Sequence, residues 1–184
     1  MTERSDGVPE GTQAHIDSTD PSDYVLGYLT CPQDASGAFV GALMLTDGRA
    51  RPLHCGFVAP IKPTAIQRVL YGPTLREHVK IDVIAKKLFQ GMPQVPQVVF
   101  VDNQELKTAR RLIGSPLAHL AKNDGGNDES ASLSDLVYDT NDANAQDRDA
   151  VGAVIARLES QIDLIEPFGR MIEALKEAMK AGGK

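Results

Sequence analysis

The sequence predicts an α/β fold: a mixed sheet with an antiparallel three-strand meander and a parallel fourth strand, followed by C-terminal helices. Three observations predict it. Between Tyr24 and Ile61 three apolar runs are separated by turn signals. A long helical segment then leads to the apolar strand Val98-Val99-Phe100-Val101. Near the C-terminus, apolar residues recur at intervals of three and four.

Each element follows from its residues. Tyr24 to Cys31 reads as the first strand, and Ala38 to Thr46, apolar on both faces, as a more interior second strand. Asp47-Gly48 is a tight-turn signal leading into Pro52 to Ile61. There Leu53, Cys55, Phe57 and Ala59 alternate with Arg51, His54, Gly56 and Val58, so one face is expected to be buried and the other partly exposed. Thr64 caps a helix carrying Ile66, Val69 and Leu70, broken at Gly72-Pro73. Thr74 starts a second helix with Leu75, Val79, Val83, Ile84 and Leu88 as its core stripe. Gln97 to Asp102 forms the fourth strand, Gln104 to Ile113 a helix ended by Gly114, and Pro116 to Lys122 a short fifth strand. A strand that follows a long crossover helix joins its sheet in parallel, which makes the sheet mixed.

The chain of 184 residues, 42% hydrophobic and 24% charged, fits one globular core with appendages. Four regions are expected: a disordered leader (1–23), the α/β domain (24–122), an acidic flexible linker (123–149) and an amphipathic helical segment (150–181). There is no run of about 18 apolar residues and no basic-then-apolar N-terminus, so a soluble cytoplasmic protein without a membrane span is expected. Cys31 and Cys55 read as free thiols in a reducing compartment. Adjacent strand residues point to opposite faces, so His54 and Cys55 cannot easily share a zinc ion.

The net charge of −6 is divided unevenly. Residues 1–61 carry three basic and eight acidic side chains, 62–122 ten against four, and 123–184 six against thirteen. The positive middle offers Arg68, Arg76, Lys80, Lys107, Arg110 and Arg111 as nucleic-acid contacts. The alternative is that these are solvated helix faces. Acidic flanks would compete for the same surface, and Leu133 to Tyr138 is apolar enough to dock there through Asp135 and Asp139.

The order βββαβα, with Val101-Asp102 ending the fourth strand and Pro116-Leu117-Ala118-His119-Leu120-Ala121-Lys122 after it, resembles the ribonuclease-H-like superfamily. Within it, residues 24–61 and 97–122 look most like endonuclease V and the nuclease domain of the bacterial excision-repair incision protein. The resemblance covers about half the chain and implies hydrolysis of a phosphodiester with magnesium or manganese held by several carboxylates. That family supplies an indispensable Asp from the first strand, whereas Gly27-Tyr28-Leu29-Thr30-Cys31 contains no acid. Among Asp34, Asp47, Glu77, Asp82 and Glu105, Glu77 is the best second ligand beside Asp102. The four histidines have no partner at a diagnostic spacing, and no nucleotide-binding glycine pattern exists.

Two functions follow as expectations. The first is a non-catalytic accessory or scaffold subunit with a degenerate nuclease-like domain and no cofactor. Its helical stripe (Ile155, Leu158, Ile162, Phe168, Ile172 and Leu175, interrupted at Pro167) would contact a protein partner or a second copy, unless it packs on its own domain. The alternative is a metal-dependent nuclease or phosphoesterase using Asp102 and Glu77 as metal ligands.

Overall fold

The computed structural model describes residues 20–122, 136–141 and 145–182. Six strands form one sheet in the order β3-β2-β1-β4-β5-β6. β1 (Leu26–Thr30), β2 (Phe39–Thr46) and β3 (Pro52–Ile61) make the antiparallel meander. β4 (Val98–Val101) lies parallel to β1, and β5 (Leu117–Lys122) lies parallel to β4. β6 (Leu136–Thr140) closes the far edge antiparallel to β5. The mixed sheet is the one the element order predicts. β6 and the first turns of the following helix occupy part of the segment expected to be a linker. The leader expected over 1–23 lies outside the described residues except for Asp20 and the turn Pro21–Asp23, whose Pro21 carbonyl accepts from the Gly48 N–H.

Alternation along the central strands supplies two buried faces. On one, Leu29, Leu43, Val99 and Val101 pack against the helical run between β3 and β4 and against the 3-10 helix Gln104–Leu112. That run begins with α1 (Ala65–Tyr71), whose Thr64 cap exchanges hydrogen bonds with Gln67 in a capping box. After the bend at Gly72-Pro73 it continues through α2 (Leu75–Glu77), a π-helical segment (His78–Ala85) and α3 (Lys86–Gln90). Gly41 admits this run: a Cβ there would lie 2.2 Å from Ile84 Cγ2.

The π segment changes the helix's register. Wider turns rotate the buried face away from the 3.6-residue stripe, so Ile81 is fully buried while Val83, expected in the core, is 36% exposed. β3 keeps the expected contrast between a sheltered and an exposed face. Its inward residues are His54, Gly56 and Val58, while Leu53 and Phe57 are 50% and 43% exposed, because β3 is an edge strand with helix cover on one face only.

On the other face, Leu26, Tyr28, Met44, Phe100 and Leu120 meet α4 (Ala145–Leu158) and α5 (Glu166–Gly182). The Tyr28 ring stacks obliquely on Phe100 at 5.5 Å and receives the edge of Phe168 at 5.3 Å. Pro167 stands at the start of α5, where its missing N–H costs nothing. Ile155, Leu158, Phe168 and Leu175 are buried against the chain's own sheet, and Ile162 and Ile172 are half-buried. Four of the six residues considered as a partner surface are therefore core of the chain's own sheet. Among the described residues no helix is long and apolar enough to cross a membrane.

Candidate functional site at the rim of strands β1 and β4

The parallel register pairs Leu29 with Val101, so the next residues, Thr30 and Asp102, emerge side by side at the C-terminal rim of the sheet. This is the edge at which open α/β sheets carry their chemistry. Thr30 Oγ1 donates to Asp102 Oδ2 at 2.5 Å. Burial pushes the Asp102 carboxyl above its ordinary value of 3.8, although the Thr30 hydroxyl, its own backbone N–H, Lys80 and His119 all pull the other way. His119 reaches the rim from β5, opposite Val101. Cys31, beside Thr30, is buried, and its thiol is pushed up to about 12 by burial and then by the Asp102 charge.

Lys80 provides the nearest full positive charge. The π segment turns it inward, so that only 5% of its side chain is exposed, and its ammonium donates to Glu105 at 2.7 Å. Glu105 also accepts from Arg76 at 3.3 Å, and hydrogen bonding to Lys80 holds its carboxyl below the ordinary range. Asn103 caps the helix that carries Glu105 by accepting from the Glu105 N–H.

Glu77, expected to join Asp102 as a metal ligand, sits elsewhere. Its side chain is half-exposed, faces Arg111 at 3.8 Å, and lines a cavity of about 240 Å³ with Tyr71, Thr74, His78 and Asp82. Among the described residues no cluster of three or more His, Cys, Asp or Glu side chains is placed to hold a metal ion. The donor set at the rim does not fit a pair of divalent cations. It offers one carboxylate bonded to a neutral hydroxyl, with a buried ammonium close by that would repel a cation.

The proposed nucleic-acid contacts are mostly occupied. Lys80 and Arg76 pair with Glu105, and Arg111 pairs with Asp82 at 2.6 Å. Lys107 pairs with Asp139 on β6. Arg110 is clasped by Asp147 of α4 through Nε at 2.6 Å and Nη2 at 3.1 Å, while its Nη1 donates to the Ile113 carbonyl at 2.7 Å. Lys80 is thus buried and Arg110 partly so, and each is held by an acid of the same chain. Of the six, Arg68 alone has no ion pair among the described residues. The acidic segment does lie across the basic surface, through Asp139 and Asp147; Asp135 lies outside the described residues.

Comparison with known proteins adds little. No family model matches the chain, and no curated protein matches it. Among solved structures, the chain is similar to Argonaute from Marinitoga piezophila, crystallised with a 5′-OH guide RNA. The identity is 14% and the TM-score 0.30, over 60% of this chain and 19% of that one.

Sequence reasoning found Asp102 and missed its setting. Thr30 was legible as the residue opposite Asp102 once the parallel register was assumed. Lys80 was not, because a π-helical turn leaves no periodicity that distinguishes it from an α-helix.

Proposed function

We propose that the chain is a non-catalytic accessory or scaffold subunit built on a degenerate nuclease-like domain. The strand order, with β1 flanked by β2 and β4, supports kinship with the ribonuclease-H-like superfamily. The observation that carries the non-catalytic reading is the Thr30 to Asp102 hydrogen bond at 2.5 Å: a neutral donor stands beside the rim carboxylate. Two-metal hydrolysis needs several carboxylates converging on the ions. Here Lys80 supplies positive charge from within the protein, and Glu105 is drawn to Lys80.

Contact with nucleic acid is a minor part of this reading, since five of the six candidate cations are engaged by acids of the same chain. Contact with protein is the larger part, through apolar surface that the chain leaves open. The test is incubation of the full chain with labelled single- and double-stranded DNA and RNA in millimolar manganese or magnesium. No cleavage above the metal-only control is expected. Cleavage that requires metal and disappears in Asp102→Asn would overturn the proposal and restore the nuclease reading.

A further inference from the structure

A second cavity opens at the end of the sheet away from Asp102. The helical run that closes with α3 leads to the start of β4, and the 3-10 helix Gln104–Leu112 leads to the start of β5. The two stop beside one another, at Gln90 and Leu112, and between their ends lies a cavity of about 330 Å³. Its floor is apolar: Phe89 is buried, and Met92, Leu112 and Ile113 are half-buried against the core beneath. Val95 forms one lip and is 74% exposed. A cavity of this size, walled by apolar side chains with a few polar groups, has the ordinary form of a small-molecule site.

The polar groups around the cavity select the ligand's polar end. Helix C-termini ordinarily leave carbonyls free to accept from a ligand. Here the carbonyls of Lys87, Leu88 and Phe89 accept from the Gly91 and Met92 N–H groups, and the Ile113 carbonyl accepts from Arg110 Nη1 at 2.7 Å. Those acceptors are taken. Lys86 carries the one full charge on the lining, stands exposed, and has no ion pair among the described residues. An ammonium at the edge of an apolar cavity matches an anion carried on an apolar body, since the charges meet in water while the body is buried.

We propose that this cavity binds a medium-chain carboxylate, with its alkyl chain on Phe89, Met92 and Ile113 and its carboxylate on the Lys86 ammonium. The volume sets the length. At about 30 Å³ per heavy atom, the share of liquid volume that a water molecule takes, the cavity holds roughly ten heavy atoms, the size of an eight-carbon carboxylate. The site lies at the opposite end of β4 from Asp102, so it neither uses the rim nor depends on the scaffold reading.

The test is a titration of the full chain with butanoate, hexanoate and octanoate, and with octan-1-ol, followed by the methyl NMR signal of Met92. Each added methylene should tighten binding about fourfold, because each buries one more CH₂. Octanoate should bind more tightly than octan-1-ol. In Lys86→Gln, octanoate should bind about fivefold more weakly while octan-1-ol is unchanged. Lys86 is exposed, so this variant should fold as the parent does, and circular dichroism checks that it has. A Met92 signal that moves for no carboxylate, an affinity indifferent to chain length, or an octanoate affinity unmoved by Lys86→Gln would each overturn the proposal. So would a Met92 signal that shifts with protein concentration alone, which would seat a second copy of the chain in the cavity.

Discussion

Thr30 Oγ1 lies 2.5 Å from Asp102 Oδ2, joining the ends of two parallel strands through a neutral donor and a partly buried carboxylate. That pair sets the hydrogen bonding at the rim. A hydroxyl satisfies one lone pair of the carboxylate and contributes no charge with which to hold a metal.

Asp102 gives a pH dependence of known sign. Its carboxyl titrates above its ordinary 3.8 in the folded chain, chiefly through burial. Its contribution to stability is therefore fully present below 3.8 and lost as pH rises through the raised value. Asp102→Asn, which keeps an acceptor for Thr30 and cannot ionise, should denature at higher urea than the parent at pH 7. Below pH 3.8 the difference should vanish. Urea midpoints at the two pH values check this.

Lys80 is nearly buried, but its partner Glu105 is half-exposed, so the pair is open to water on one side. Removing one member of an ion pair is costly when it leaves a buried charge behind, but here the charge left behind, Glu105, is open to water. Lys80→Met should stay within about 1 kcal/mol of the parent. Lys80→Ala should cost about 2–4 kcal/mol by leaving a cavity. Chemical denaturation of both variants separates charge from packing.

Asp147 ties α4 to the sheet. Its side chain, 4% exposed, accepts from Arg110 and from the Leu117 N–H at 3.4 Å. Asp147→Ala would strand a mostly buried guanidinium and should cost about 3–5 kcal/mol. Hydrogen exchange across β5 and β6 should quicken in the same variant, which denaturation alone would not reveal.

The two thiols should report the fold directly. Cys31 is buried and held at about 12, while Cys55 stands on the exposed face of β3 and is raised less by partial burial. At pH 8 a thiol reagent should modify Cys55 slowly and leave Cys31 untouched until the chain unfolds. Rapid loss of both thiols in buffer would contradict the packing of β1 against the π segment.

The sheet was legible because its signals are local. Asp47-Gly48 marks a turn, and Phe39 to Thr46 is apolar on both faces because both faces are covered. The destination of each amphipathic surface was not legible. The stripe from Ile155 to Leu175 and the stripe of Ile66, Val69 and Leu70 look alike in sequence. Only the tertiary fold assigns the first to the core and the second to solvent. β6 was hidden for a related reason: a short strand amid acidic residues gains its order from pairing with β5 and from the Asp139 to Lys107 ion pair, neither of which is local.

The most direct test of the rim is an NMR titration of the Asp102 side-chain carboxyl, carried out with and without millimolar magnesium. If Asp102 is the lone carboxylate bonded to Thr30, it should titrate above 3.8, and its shift should be unchanged by the metal. A titration driven below 3.8 by magnesium, with the carboxyl signal following metal concentration, would contradict the account and identify a cation site at the end of β4.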